Sequence, residues 1–218
     1  MFEKYKKEII IILIIVIIPL ILIGLYSVFK NPVSSKSTKN GDMPYINVGG
    51  KDTKAINEYI DNIYKTYSTN KLTKISYKTS INNNIVSVLI DINLYNEDIK
   101  DYTKKFIGFN VKKDGTFLDK EELASIYGYS LVEIIDRVEN KLKAFYEDET
   151  IKGYIEKEEC DFNCYLSYAR GINNILDEIS LVIENNKLVV YINLSKDDIN
   201  GDKAYFESLE EPYKLILE

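Results

Sequence analysis

The stretch Lys74-Ile-Ser-Tyr-Lys-Thr-Ser-Ile-Asn-Asn-Asn-Ile-Val-Ser-Val-Leu-Ile-Asp-Ile-Asn-Leu-Tyr95 decides the class of fold. Lys74 to Ser80 and Ile85 to Tyr95 are rich in β-branched and aromatic residues, the composition of strands. Asn82-Asn83-Asn84 stands between them, and asparagine tolerates the positive φ that a tight hairpin turn requires. The spacing predicts a long antiparallel hairpin. Leu181 to Glu184 and Lys187 to Leu194 repeat the pattern around Asn185-Asn186.

Other elements assemble around these hairpins. A short strand is expected at Tyr45 to Val48, another at Phe106 to Lys112, ended by Lys113-Asp114-Gly115, and a last one at Tyr213 to Leu217. Thr53 to Tyr67 reads as an amphipathic helix, with Ala55, Ile56, Tyr59, Ile60, Ile63, Tyr64 and Tyr67 on one buried face. Asp119-x-x-Glu122 and Ser130-x-x-Glu133 are capping boxes, each opening a helix. The second of these runs to about Tyr146, with Leu131, Ile134, Ile135, Val138, Leu142 and Phe145 inward. Tyr165 to Leu176 reads as a further helix weakened by Gly171. Strands outnumber helices and pair as hairpins. The class is therefore α+β, a largely antiparallel sheet packed with two to three helices.

Ile9 to Phe29 carries 21 residues without a charge, mostly Ile, Leu and Val. Such a helix spans about 30 Å, the thickness of a bilayer's hydrocarbon core. The run is longer than the apolar core of a signal peptide and lacks an Ala-x-Ala pattern. It is expected to be a single transmembrane signal anchor preceding the α+β domain. Lysines at the two ends balance, so charge does not orient it. The plan of a short tail followed by a large domain does: 1–8 as a cytoplasmic tail, 43–218 as an extracytoplasmic domain. Between them, 30–42 is rich in Ser, Thr, Lys, Asn and Pro and reads as a flexible basic tether.

The chain has 218 residues, no His, no Trp, two Cys and a formal net charge of -6. Without histidine there is no Ser-His-Asp or Cys-His catalysis and no His-ligated zinc. Net +1 over 1–8 and +3 over 30–54 leave -10 for 55–218. That acidic balance argues against nucleic acid as a partner. Cys160 and Cys164 are spaced C-x3-C. Outside the membrane a small structural disulfide is allowed, inert thiols are the second reading, and a redox or metal role is the third.

Two loops half-match a calcium loop. From Asn110, the residues Asp114, Gly115 and Glu121 fall at positions 5, 6 and 12; from Lys196, the residues Asp198, Asn200, Gly201 and Glu207 fall at positions 3, 5, 6 and 12. A Lys at a ligand position spoils each, and turn chemistry explains both. Asp91, Asp119, Glu121, Glu122, Glu158, Glu159, Asp197 and Asp198 are the carboxylates from which a glycosidase pair would be drawn. Among 34 acids, however, proximity says little. The 18 tyrosines offer material for a sugar- or peptide-binding groove, though helical spacing favours core packing.

Pro44-Tyr-Ile-Asn, Ala55-Ile-Asn-Glu-Tyr-Ile and the hairpin containing Ile85-Val-Ser-Val resemble the PdaC/RsiV-like extracytoplasmic domain. That family has a strand, an "x-Ile-Asn" helix and a hairpin whose second strand begins "n-g-i-v-S-v". Phe109-Asn-Val-Lys-Lys-Asp-Gly-Thr-Phe-Leu-Asp-Lys-Glu-Glu-Leu is similar to its "fNfdlktGk" segment, and Ile179 to Ile192 to its late hairpin. The resemblance covers about 43–195 through short degenerate motifs. Asn96 to Tyr102 stands where the family has Gly-Gly-Ala-His, and the closing "pY-ia-pya-G" pattern is absent. Family members include lysozyme-sensing anti-sigma factors and a segment preceding a peptidoglycan deacetylase domain. The resemblance implies an outside location and a binding role with no chemistry of the domain's own. Eight residues before the anchor leave no room for a sigma-binding domain, and no deacetylase domain is expected after it.

Taken together, the sequence predicts a membrane-anchored, single-pass binding or sensor module of a bacterial cell envelope, not an enzyme. Its expected partners are the bilayer, through 9–29, and a cationic protein or wall component. No metal, cofactor or catalytic residue is expected. The alternatives are a carboxylate-dependent enzyme acting on peptidoglycan and a structural subunit of a membrane complex.

Overall fold

The long hairpin forms as its sequence predicts. In the computed structural model β3 (Lys74–Asn82) and β4 (Ile85–Asn96) pair antiparallel through the Asn83-Asn84 turn, with Asn83 at φ 52°. The described residues are 31–97, 100–146, 162, 174–193 and 214–217. The chain divides into two units, Met1–Pro32 and Val33–Glu218. The expected anchor at 9–29 lies outside the described residues; among those described, no helix is long and apolar enough to cross a membrane.

The architecture is α+β and dominated by antiparallel pairing. A six-stranded sheet has the order β1 (Val33–Thr38), β2 (Gly41–Ile46), β3, β4, β5 (Asp101–Lys112), β6 (Phe117–Leu118). Its one parallel contact is Gly41 with Ile75, between β2 and β3. A separate sheet holds β7 (Ile179–Glu184), β8 (Lys187–Ile192) and β9 (Lys214–Ile216). The expected single sheet is thus two. Among the described residues the helices whose bounds are defined are α1 (Thr53–Tyr67), α2 (Lys120–Ile126), α3 (Leu131–Tyr146) and the single turn α4 (Ile175–Glu178). Only Ile175 and Leu176 of the helix expected over 165–176 are helical among the described residues, and Asn174 caps them.

Strand alternation sorts the side chains into layers. Val86, Val88, Ile90 and Ile92 of β4 and Phe109 and Val111 of β5 meet Ile56, Ile60, Ile63 and Tyr64 of α1. On the other face Leu89 and Phe106 meet Val182, Val189 and Tyr191 of the second sheet. The far side of that sheet, with Leu181, Ile183, Leu188 and Val190, packs on Leu123, Ile134, Val138 and Leu142 of α2 and α3. The order of layers is helix, sheet, sheet, helices. Ala55 and Tyr59 are exposed, because the strip of α1 that meets the sheet is narrower than its apolar pattern. The side chain of Phe145 lies outside the described residues.

The stretch read as a tether over 30–42 is corrected. Val33–Thr38 pairs in register with Gly41–Ile46, and Val33 is buried at 5% exposure. Val-Ser-Ser-Lys-Ser-Thr has one apolar residue, so nothing local marks it as a strand; the pairing does. Asn40 locks the turn, donating through Nδ2 to the carbonyls of Asn70 at 3.0 Å and Thr73 at 2.8 Å. The folded domain begins at Val33 rather than at residue 43.

Candidate functional site

Where the sheets meet, β5 and β7 lie close together, and backbone groups of each have no strand partner across the gap. Polar side chains complete them instead. The Ser180 hydroxyl donates to Phe106 O at 3.0 Å and accepts from Gly108 N at 3.0 Å. Asn193 accepts from Phe106 N at 2.6 Å and donates to Phe106 O at 3.1 Å. In the opposite direction, Ser87 Oγ accepts from Ile183 N at 2.8 Å and Asn110 Nδ2 donates to Leu181 O at 2.9 Å. Ser87 also donates to Asn110 Oδ1. Ser87, Asn110 and Ser180 are all buried, so each bond replaces one that water cannot make. Gly108 lets β7 approach, since a Cβ there would stand 2.8 Å from Val182 Cγ1.

Three asparagine and serine residues act as clamps. Ser87 and Asn110 belong to the seam, and Asn57 of the "Ile-Asn" helix brackets Ile46, accepting from its N at 2.9 Å and donating to its O at 3.0 Å. Their work is architectural. Ser180 and Asn193 were missed by sequence reasoning, although a lone polar residue beside an apolar strand run was the available signal.

Two grooves flank the seam. The first, of about 320 Å³, is lined by Lys78, Ser80, Ser87, Leu89, Val182 and Glu184 among others. Glu184 accepts from Tyr191 Oη and from Lys214 Nζ, both at 2.5 Å. Burial alone would raise its carboxyl; the hydrogen bonds from Lys214 and Tyr191, with the charges of Lys214 and Lys78, outweigh it and hold the group below the usual range. Burial, then the bond to Glu184, raises the Tyr191 phenol. With both oxygens engaged, Glu184 ties β9 to β7 and is not a free base.

Asp91 behaves in the opposite way. Its Oδ1 is buried with no hydrogen-bond partner. Burial raises its carboxyl despite the opposing charges of Lys104 and Lys78. A raised folded-state value means that the ionised form disfavours the folded state at neutral pH, a cost that fades as pH falls through that value. Replacing Asp91 with Asn is therefore expected to raise the melting temperature at pH 7 by about 1–3 °C. The gain should shrink on acidification. Paired melts at pH 7 and pH 4 check this, and a fall at both would sink it.

The second groove, of about 440 Å³, lies between α1 and the β5 edge. Tyr59, Asn62, Thr66 and Tyr67 form one wall, Phe106 to Gly108 the floor, and Asp177, Glu178 and Lys120 the other wall. Lys105 Nζ stands 5.8 Å from the Tyr67 ring centroid. Lys120 Nζ donates to Leu176 O at 2.5 Å. Burial lowers that amine, against the raising influence of Asp177 and Glu178.

The remaining sequence candidates fall into two groups. Asp119 and Glu122 form the expected capping box of α2: Asp119 Oδ1 accepts from Glu122 N at 2.8 Å, and Glu122 Oε2 accepts from Asp119 N at 3.2 Å. Glu121 sits in the same first turn. In the half-matched calcium loop, Asn110 is taken by the seam, while Asp114 Oδ1 accepts from Thr116 N at 2.9 Å within a turn where Gly115 has φ 82°. No cluster of three or more potential metal ligands occurs among the described residues. Cys160, Cys164, Glu158, Glu159, Asp197, Asp198 and the loop from Lys196 lie outside them. No family model, curated protein or solved structure matches the chain.

Proposed function

We propose that this chain is a membrane-anchored, extracytoplasmic binding module of a bacterial cell envelope, whose ligand is a cationic protein or a wall component. The observation that carries the reading is the uncharged 21-residue run at 9–29 joined to a folded acidic domain. A charge of -10 over 55–218 favours cationic partners and disfavours polyanionic wall polymers. The resemblance to the PdaC/RsiV-like domain supports the same location and role.

Binding is preferred to catalysis on the state of the acids. Asp91 carries the raised carboxyl expected of a general acid, but Glu184 of the neighbouring groove, a candidate second carboxylate, is engaged through both oxygens. Two tests apply. Protease added to intact protoplasts should digest the domain; a protected domain would refute the outside assignment. The full-length protein in detergent should bind a cationic wall hydrolase at low ionic strength, weakening about tenfold or more by 0.3 M salt. No binding at low salt would remove the cationic-protein version.

A further inference from the structure

We propose that the groove between α1 and the outer edge of β5 binds a neutral amino-sugar chain, with Tyr59 as the ring platform and Asn62, Thr66 and Asp177 as polar partners. The proposal deepens the reading of the domain as an envelope module and rests on it only for the source of the glycan.

The floor of the groove argues first. An extended peptide docks on a strand edge by hydrogen-bonding its free backbone groups. Here Phe106 N, Phe106 O and Gly108 N are already bonded to Asn193 and Ser180. The edge therefore offers no ladder to a peptide, and recognition falls to the walls.

Those walls have the chemistry of a sugar site. Tyr59 is 53% exposed although it stands on the apolar stripe of its helix, and along the same wall Asn62 lies about one turn from it and Thr66 and Tyr67 about two. A pyranose has an apolar C–H face that packs on an aromatic ring and a rim of hydroxyl and acetamido groups that both donate and accept. Asn62 supplies both functions, Thr66 a hydroxyl and Asp177 a carboxylate acceptor. Charge within the groove balances, Lys105 and Lys120 against Asp177 and Glu178, so neither a polyanion nor a polycation is selected. Lys120 is further committed to Leu176 O. The volume, about 440 Å³, is that of a small-molecule site.

The test uses full-length protein in detergent, titrated calorimetrically with the β-1,4 tetramer of N-acetylglucosamine. Saturable binding is expected at a Kd of roughly 0.1 mM. Tyr59→Ala should weaken it about tenfold or more without changing the melting temperature. Tyr45→Ala, which removes a comparably exposed tyrosine from β2 outside the groove, should leave it unchanged. Absence of binding up to millimolar tetramer, or binding indifferent to Tyr59→Ala, overturns the proposal. Tyr59-dependent binding of a lysine oligomer but not of the tetramer overturns it in favour of a cationic peptide. Failure here with a protease-accessible domain removes the sugar site alone; a protected domain removes the envelope location while the titration still decides the groove.

Discussion

Replacing Gly41 with alanine is expected to destabilise the domain by about 3–5 kcal/mol. Two costs coincide at this position. Its φ of 134° lies where an L side chain is strained, and a Cβ would fall 1.8 Å from the carbonyl oxygen of Ile75. That oxygen belongs to the β3 residue with which Gly41 makes the parallel contact of the sheet. The obstacle is backbone and cannot swing aside, and Ile75 is itself held by its N–H to Asn40 O at 2.8 Å. The two costs can be separated with other glycines. Gly128 has φ 80° but open space around its missing Cβ, so alanine there should cost about 1 kcal/mol. Gly49 has open space and no positive φ, and alanine should be nearly neutral, within about 0.5 kcal/mol. Denaturant unfolding of the three variants gives the ranking. If Gly41→Ala costs no more than Gly128→Ala, the β1–β2 hairpin is not docked on β3 and the tether reading of 30–42 returns. A fragment intended to fold has, on this account, to include Val33.

The contrast between that hairpin and the two Asn-Asn hairpins explains what the sequence could say. Asn83, Asn185 and Asn186 adopt φ of 52°, 49° and 64°, and the asparagines announce it in advance. Helix α1 spans Thr53–Tyr67 as its periodicity predicts, because amphipathicity is a local property that marks the helix even without a side-chain cap. β1 is invisible since its residues are polar and its reason for being extended is β2. The division into two sheets is invisible for a similar reason. Nothing near Ser180 in the chain indicates that its hydroxyl will meet Phe106 and Gly108, over 70 residues away. Site residues follow the same rule. Asp119 and Glu122 are legible as a helix cap because they stand only three positions apart in the chain. Asp91 was one acid among many until its Oδ1 was found buried without a partner. Tyr59 was assigned to the core by spacing, and only the width of the helix–sheet contact turns it outward.

Removing the polar seam should cost nearly as much as breaking the Gly41 turn, and it should do so cooperatively. Ser87→Ala deletes one hydroxyl of small volume, yet it leaves Ile183 N–H and Asn110 Oδ1 without their partner at a buried position. A loss of about 2–3 kcal/mol is expected. Asn110→Ala also strands the Leu181 carbonyl and opens a cavity, for about 3–4 kcal/mol. Once Asn110 is gone, Ser87 has lost its acceptor, so part of the second loss has already occurred. The double variant should therefore fall short of the sum by about 1–2 kcal/mol, the coupling of a direct buried pair. Amide exchange gives an independent reading. In Ser87→Ala the Ile183 N–H should exchange faster than its neighbours in β7, by more than the global loss of stability explains, because its own acceptor has been removed. Strict additivity together with unchanged Ile183 protection would mean that Ser87 and Asn110 do not join the sheets. The predicted coupling would instead mean that Ser87 and Asn110 act as one unit, tying β7 to β4 and β5 through the Ile183 N–H and the Leu181 carbonyl.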